Sequence, residues 1–492
     1  MSDRQLPSTI DYSRVLPLSI PAIAKRHKYF PQNGTNFTFQ GTRQIRIEVS
    51  SQNALLDAAH SYLEFEVVNQ SGGPTCGPDL GGAMNFFARA SLEQGGKVLS
   101  RCDEFHRLHA SILGPCQISS EGVAAEGVTG SRRSYNGPLA ASIVVAPNAG
   151  IADTYITGST HNSDLYWGNA FGHRFTMPVP GGLFNQDKLI PLPLVNPNQP
   201  LTIVLDLANA REAACWSAAG VIPGAFRIQA ISYVAQLIEV GHDVIEQFRG
   251  VQNQMGGQLV LSGQDWEYSS NPVPAGTTGQ QNLRLPVRKR SIKSVFWCAQ
   301  SNDVANIIGA PADLGPTFNL SFAGNMNIAS WGLKFGSVVF PSVPIECWGD
   351  NAAPAVGNFR RGECAMNLAS AFGTSSWQNP TGTLSTLTYG TGQGGVLADG
   401  DNGTVAPVPL ATIIPESADV VGVCPFGIST EAFSREITES GVDVETLSQD
   451  THLQLNWPNG IDSGNEDKIC HMWCLFDQHY YFNRDGTVTY SN

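Results

Sequence analysis

The stretch SYLEFEVVN, residues 61–69, decides the fold class of this chain. Its leucine, phenylalanine and valine side chains alternate with glutamates. Successive side chains of a β-strand point to opposite faces of a sheet, so this period of two predicts a strand with one buried and one polar face. The same alternation occurs upstream in QIRIEVS (44–50) and downstream in LTIVLDL (201–207). The recurrence predicts an all-β fold built from half-buried sheets.

The composition fits a large, loop-rich β protein. The chain has 492 residues, of which only 14% are charged, with 51 glycines and 30 prolines. Its net charge of −13 argues against a protein that wraps nucleic acid over its whole surface, because phosphate neutralisation needs clustered Lys and Arg. The sequence shows no apolar secretory segment and no run of the ~20 apolar residues that a membrane span requires, so we expect a soluble protein. The ten cysteines form no CxxC pair and are expected to be reduced, mostly buried thiols.

The chain repeats one plan in its two halves. Each half predicts strands, a short helix, a long polar excursion and further strands. The helices are predicted at 103–114, with Asp103 as the N-cap, and at 362–373. The excursions, with a third loop-rich region, cover 116–165, 374–417 and 301–330. Segment 179–208 has its counterpart in 423–457, by the order of its elements and not by identical letters.

This order predicts two similar β-sandwiches in tandem. The predicted units are an extended N-terminal arm at 1–35, a first sandwich at 36–240, a connector at 241–258 and a second sandwich at 259–492. Within the first sandwich, the alternation of FRIQAISYVAQLIEV (226–240) slips near Ala230 and Ile231, which predicts a β-bulge.

The stretch SGVDVETLSQDTHLQLNW, residues 440–457, raises the question of a catalytic site. It contains Asp443, Glu445, Asp450 and His452, from which a glycosidase pair or a metal site could be built. However, the leucines and tryptophan of THLQLNW alternate with its polar residues. A turn followed by a strand accounts for the whole stretch, and this interpretation is favoured.

Other candidate sites are also weak. GTGQGG (390–395) lacks the following helix that dinucleotide binding requires, and ADGDNGT (398–404) misses the EF-hand spacing. Two groups of potential metal ligands have poor geometry or too few members: Cys102 with His106 and His109, and Cys470 with His471 and Cys474. The sequence therefore predicts a protein that is not an enzyme, with no catalytic residue, no cofactor, no metal site and no small-molecule substrate.

The arm carries the one local basic cluster of note. It consists of Lys25, Arg26, His27 and Lys28 in the stretch AKRHKYF. Either it is a solvated stretch beside the first sandwich, or it contacts nucleic acid or another acidic partner inside an assembly.

Six segments spread over residues 40–480 together have a recognisable order. They are SYLEFEVVN, NFFARASLEQGGKVLSRCDEFHRLHASIL, LIPLPLVNPNQPLTIVLDLA, NLRLPVRKRSIKSVFWCA, FPSVPIECWGD with FRRGECAMNLASAFG, and SGVDVETLSQDTHLQLNW. In these segments the chain resembles a known family, the double jelly-roll major capsid proteins of tailless icosahedral DNA viruses. This lineage includes adenovirus hexons, virophages and polinton-like viruses.

The resemblance implies a fold and a function. The two sandwiches would be tandem eight-stranded jelly rolls with short helices and long loop excursions. Three chains would form a homotrimer with a pseudo-hexagonal outline, and such capsomers would tile an icosahedral virus shell. Partners would be neighbouring capsomers, penton and minor capsid proteins, and the genome or an internal membrane through the N-terminal arm. The chain would reside in the virion, after assembly inside the host cell.

Two other functions remain open from the sequence. A tandem β-sandwich carbohydrate-binding protein or glycosidase would use exposed aromatic platforms, for which nine tryptophans are available. A fibre or adhesion module would favour a short internal repeat, and none is found in the sequence.

Overall fold

A computed structural model describes the greater part of the chain. The described residues are 22–72, 76–78, 82–113, 170–184, 188–216, 225–301, 326, 328–347, 361–372, 425–431, 441–444, 450–457, 463 and 467–491. The predicted excursions 116–165 and 374–417 lie outside them, as does nearly all of 302–327.

The first half forms a sandwich of two antiparallel sheets. Its strands are β1 Ala22–Tyr29, β2 Asn36–Phe37, β3 Gln44–Val49, β4 Ala54–Asn69, β5 Cys76–Pro78, β6 Phe87–Gln94, β7 Lys97–Asp103, β8 Gly172–Met177, β9 Leu201–Leu207, β10 Ala214–Trp216 and β11 Phe226–Val240. One sheet has the order β1-β11-β4-β8, with β2 also on β11, and the other has the order β3-β9-β6-β7. Strands β5 and β10 form a separate pair. The sheets meet through aromatic side chains, with the rings of Phe65 and Phe87 5.1 Å apart.

The second half repeats the order of the eight strands in the two sheets of the first sandwich. Its strands are β12 Gln258–Val273, β13 Gln280–Leu285, β14 Ile292–Ser301, β15 Ser330–Phe335, β16 Val338–Glu346, β17 Phe426–Ser429, β18 Thr451–Asn456, β19 Lys468–Asn483 and β20 Val488–Ser491. The sheets have the orders β12-β19-β14-β17 and β13-β18-β15-β16, with β20 added beside β19. Each position matches the corresponding position of the first sandwich. The predicted duplication and the tandem jelly-roll architecture are therefore confirmed.

Helices interrupt both sandwiches at equivalent points. They are α1 Phe105–Leu108, α2 Ala210–Ala213, α3 His242–Gln254 and α4 Arg361–Ala371. A π-helical turn, His109–Leu113, extends α1, and short 3₁₀ turns occupy Gly82–Phe86, Gly182–Phe184 and Leu192–Leu194. α1 follows β7 and α4 follows β16, which are equivalent strands of the two jelly rolls.

The alternation seen in the sequence sets the faces of the strands. In β4 the side chains of Leu63, Phe65 and Val67 are buried, while the intervening glutamates are half-buried. The predicted bulge in β11 is also confirmed. The pairing of β11 with β4 shifts register between Gln229 and Ser232, and Ala230 adopts a φ of 52°.

One predicted helix cap is wrong. Asp103 was expected to cap the helix at 103–114, but it is the last residue of β7, and Glu104 precedes α1 in a left-handed conformation. The Asp103 carboxylate instead accepts hydrogen bonds from Arg89 Nε at 2.5 Å and from Arg101 Nε. Because β7 continues to residue 103, Arg89 on the neighbouring strand and Arg101 on β7 itself compete with the helix end for this carboxylate. The apolar side chains of Phe105, Leu108 and Ile112 are buried.

The structure also shows what the predicted arm and the predicted connector pack against. Residues 22–29, at the end of the predicted arm, are the edge strand β1 and pair with β11 from Tyr233 to Val240. Within the connector, α3 buries Ile245 and Gln252, and Gln252 Nε2 donates to the carbonyl oxygen of Phe482 at 2.7 Å. The connector is therefore packed on the second sandwich.

Candidate functional site

The two sandwiches meet along a buried, hydrogen-bonded boundary, which we call the seam. It is defined by Gln94, Ser100, Asp265, Gln478 and Gly486. Ser100 Oγ on β7 donates to Asp265 Oδ1 on β12 at 3.0 Å. Gln478 Nε2 on β19 donates to the carbonyl oxygen of Leu99 at 3.1 Å. Hydrogen bonds are directional, so these contacts fix the orientation of the two sandwiches more narrowly than apolar packing would.

A turn of the second sandwich packs against the first sandwich at the seam. The turn between β19 and β20 places Gly486 against Gln94 and Asn196. Its carbonyl oxygen accepts from Gln94 Nε2 at 2.8 Å and from the Asn196 backbone N–H at 2.9 Å. Gly486 has a φ of +80°, and a Cβ there would lie 2.7 Å from the Asn196 nitrogen. Glycine is needed at this position for both its conformation and its lack of a side chain.

A cluster of ionised side chains lies beside the seam, where α1 faces the second sandwich. Arg107 is almost fully buried. It donates to Glu104 at 2.7 Å, to Glu212 at 2.6 Å and to Gln300 Oε1 on β14 at 2.7 Å. His106 Nε2 lies 3.2 Å from Glu212. One guanidinium thus joins two elements of the first sandwich to a strand of the second.

Burial and charge act in opposite directions on the carboxyl groups of this region. Burial alone would raise the pKa of Glu212, but the Arg107 charge and the His106 hydrogen bond outweigh it and lower the pKa to about 2. At Asp265, burial outweighs the hydrogen bonds from the Trp266 backbone and Ser100 and the charge of Lys289, and it raises the pKa to about 7. Glu212 is therefore a stably charged member of an ion cluster, whereas Asp265 is a carboxyl group that burial disfavours in its charged form.

Backbones also touch at the seam. A Cβ built on Gly263 in β12 would lie 2.6 Å from the carbonyl oxygen of Gly182, in the turn after β8. Gly182 in turn faces Ser100 and Tyr480 too closely for any side chain. The two sandwiches approach to backbone distance because both positions are glycine.

The predicted basic cluster lies on the exposed edge strand β1. Lys25 Nζ pairs with Glu239 at 2.6 Å and Lys28 Nζ pairs with Glu64 at 2.7 Å. His27 stacks edge-on against Tyr29. Arg26 is exposed and has no ion pair within the described residues. Half of the cluster is therefore neutralised by carboxylates of the same sandwich.

The described residues of the carboxylate-rich stretch 440–457 form a bend at Gly441 and the strand β18. Val442 bridges to Ile292, and the side chains of Leu453 and Leu455 in β18 and of Trp457 just after it are buried. Asp450 pairs with Arg284 at 3.2 Å. Glu445 lies outside the described residues.

The other candidate metal and nucleotide sites either lie outside the described residues or contain histidines that contact other side chains. GTGQGG (390–395) and ADGDNGT (398–404) lie outside the described residues. His106 joins the ion cluster, and His471 Nδ1 lies 2.8 Å from the Tyr268 hydroxyl. Within the described ranges, no group of three or more His, Cys, Asp or Glu side chains could hold a metal ion.

Four tryptophans that might have offered a sugar-binding platform are inside the protein. They are Trp297, Trp331, Trp457 and Trp473, all at most 2% exposed. Trp297 and Trp331 pack edge to face between the sheets of the second sandwich, 5.5 Å apart. These side chains serve the core and not a carbohydrate surface.

The seam was not predicted from the sequence, although the sequence of β12 contains one signal for it. In β12, Leu259, Leu261, Gly263 and Asp265 share a face by alternation, and the last two are buried. A carboxylate at a core-facing position of an alternating strand indicates a buried polar contact. The partner, Ser100, is 165 positions away and could not be identified from the pattern.

Among the described residues, no helix is long and apolar enough to cross a membrane. No family profile and no curated protein matches the sequence.

Solved structures do match over essentially the whole chain. One is PBCV-1 VP54 fitted into a reconstruction of the virophage Sputnik, with a TM-score of 0.55, 10% identity, and coverage of 98% of this chain and 99% of that one. A second is a quasi-atomic structure of the PBCV-1 virus capsid, with a TM-score of 0.56, 11% identity, and coverage of 98% and 100%. The Sputnik virophage structure matches with a TM-score of 0.51, 10% identity, and coverage of 100% and 93%. Together with the repeated eight-stranded topology, these likenesses show that the chain has the double jelly-roll fold found in virus capsids.

Proposed function

We propose that this chain is a structural protein of a virus shell, a major capsid protein that acts in the virion and not as an enzyme. The observation that carries the proposal is the full-length likeness to the PBCV-1 capsid structure, which leaves almost no part of either chain unmatched. An enzyme built on a jelly roll would add a site to the fold. Here several buried polar groups of the described region instead join the two jelly rolls to each other, among them Ser100 with Asp265 and Arg107 with Gln300.

The seam supports this function physically. A shell tile must present its edges at fixed angles, and two loosely linked sandwiches would not do so. Directional hydrogen bonds, a buried guanidinium and glycine-to-glycine contact hold the sandwiches as one body. Three such bodies would give six jelly rolls and a pseudo-hexagonal homotrimer, and these capsomers would tile an icosahedral shell.

The remaining parts of the chain fit roles in assembly. We propose that the excursions 116–165, 301–330 and 374–417 supply trimer contacts and outer decorations. Neighbouring capsomers, penton proteins and minor capsid proteins would be the other partners. No cofactor and no small-molecule substrate is required by this function.

We also propose that the basic cluster of the arm lies on the inner face of the shell and contacts the genome or an internal membrane. Arg26 is its main contributor, because Lys25 and Lys28 are already paired with carboxylates. Replacing Arg26 with Glu should weaken binding of the purified, unassembled protein to polyphosphate or to anionic vesicles, whereas Lys25→Ala should change it little. Equal binding by the wild type and the Arg26 variant would refute this role.

The first experiment is the absolute mass of the purified protein, measured by light scattering on a sizing column. We expect a stable particle near three times 52.7 kDa, because an obligate capsomer should persist on dilution. A monomer that persists at high protein concentration would contradict a chain that trimerises by itself.

A further inference from the structure

Two cysteine thiols face each other inside the second sandwich. Cys347 directly follows β16, and Cys364 lies in the first turn of α4. Their sulfur atoms are 3.6 Å apart, and both side chains are at most 1% exposed. Neither sulfur is part of a disulfide bond in this structure.

The backbone around each thiol is already held in place. The Cys347 N–H donates to the carbonyl oxygen of Ala329 at 2.7 Å, which ties it to the start of β15. The Glu346 N–H donates to Glu363 Oε2 at 3.3 Å, so the residues immediately before the two cysteines are also in contact. α4 itself packs closely on β17, where a Cβ added to Gly427 would lie 2.8 Å from Leu368 Cδ1. The two sulfurs are therefore neighbours through fixed structure and not through loose side chains.

We propose that Cys347 and Cys364 are a redox-active pair that forms an intramolecular disulfide when the protein meets an oxidising low-molecular-weight disulfide. One Cys thiolate attacks a sulfur of the small disulfide, forming a mixed disulfide and releasing one small thiolate. The second Cys thiolate then attacks the mixed disulfide at the protein sulfur and releases the other small thiolate. Each cysteine loses a proton, each released thiolate gains one, and the two electrons lost by the protein reduce the small disulfide to two thiols.

Burial of the two thiols controls how fast oxidants and reductants can reach them. A reagent reaches the thiols only when α4 and the end of β16 separate transiently, so the oxidation should be slow. Once formed, the disulfide is equally shielded from reductants. It closes a segment of chain whose ends are 17 positions apart, and we expect the thermal unfolding midpoint to rise by about 3 °C. This inference goes beyond the shell function and can be tested on the protein in solution.

The test is to incubate the folded, full-length protein with oxidised glutathione, block remaining thiols under denaturing conditions and map the peptides by mass spectrometry. The expected product is a single cross-linked peptide pair containing Cys347 and Cys364, lighter by two hydrogen atoms and separated by reductant. The map needs no variant, so it does not depend on a mutant that folds.

Variants then test whether the pair accounts for the stabilisation. Cys347→Ser and Cys364→Ser should each abolish the cross-link and the rise in the unfolding midpoint. Cys298→Ser removes another buried thiol, which contacts Ser111 and neither member of the pair, and should leave both effects intact. A disulfide that joins any other cysteines, or full alkylation of Cys347 and Cys364 after prolonged oxidation, would overturn the proposal.

Discussion

Arg107 is the side chain on which the buried ion cluster depends. Its guanidinium satisfies Glu104, Glu212 and Gln300 at once, and its own burial is tolerated only because two carboxylates surround it. Removing one member of such a group leaves the others desolvated and unpaired, which is more costly than never having built the group.

We therefore predict that Arg107→Met destabilises the protein by about 3–5 kcal/mol at pH 7 in urea unfolding. Glu212 has a lowered pKa in the folded protein, so its contribution is present above its ordinary value of 4.5 and is lost as the pH falls towards 2. The difference in unfolding free energy between wild type and Arg107→Met should therefore shrink as the pH falls from 4.5 towards 2. Arg107→Lys keeps the charge but not the forked geometry, and should show an intermediate loss. A deficit that does not change with pH would contradict this account.

The contribution of Asp265 to the free energy of unfolding has a pH dependence opposite to that of Glu212. Its pKa of about 7 in the folded protein exceeds the ordinary 3.8, so between these values the folded protein binds more protons than the unfolded chain. The free energy of unfolding then falls as the pH rises from about 4 to about 7, by an amount on the order of 4 kcal/mol, and this contribution is level above pH 7.

Asp265→Asn should remove this loss, because an amide keeps an oxygen that accepts from Ser100 and carries no charge. We expect the variant to gain stability relative to wild type between pH 5 and pH 8, as measured by urea unfolding. The exposed Asp450→Asn is a matched change of charge and should leave the profile of the wild type unaltered. Parallel profiles for wild type and Asp265→Asn would show that Asp265 is not the responsible group.

At the level of elements, the seam depends on the close approach of β12 to the turn after β8. A methyl group on Gly263 would collide with the Gly182 carbonyl, which is backbone and cannot move aside as a side chain can. We predict that Gly263→Ala costs about 2 kcal/mol or more in denaturant unfolding. Gly250→Ala is the matched control. It lies inside α3 with open space around it and should stabilise by about 0.5–1 kcal/mol. If Gly263→Ala and Gly250→Ala changed the free energy of unfolding equally, the close contact between Gly263 and the Gly182 backbone would not determine the stability of the seam.

The elements themselves were largely predictable, because each is encoded by neighbouring residues. The alternation in β4 and β18 and the slip near Ala230 are local signals, and they agree with the structure. The Asp103 cap failed because its competitor, Arg89, lies on a neighbouring strand. Local rules identify an element, but they do not show which distant side chain will take over its polar groups.

At the scale of the whole molecule, the order of elements indicated the duplication and two tandem β-sandwiches, and the jelly-roll fold was implied by the family resemblance. The ion cluster beside the seam was not predictable, because it joins Arg107 and Gln300, which are 193 positions apart. Neither partner has a pattern of its own. Buried polar contacts between repeated units are specified by three-dimensional proximity alone.

The turn that carries Gly486 has a consequence for how the protein is made. It contacts Gln94, which the ribosome produces 392 positions earlier. The last strand of the first sandwich ends at Val240, so at about 5–20 residues per second the completed first sandwich waits about 12–50 s with its docking surface uncovered. A chain interrupted before this turn would carry a first sandwich with unsatisfied buried groups and a misaligned neighbour. Under the proposed shell function, only a completed chain would have the fixed orientation of the two sandwiches that a regular lattice needs.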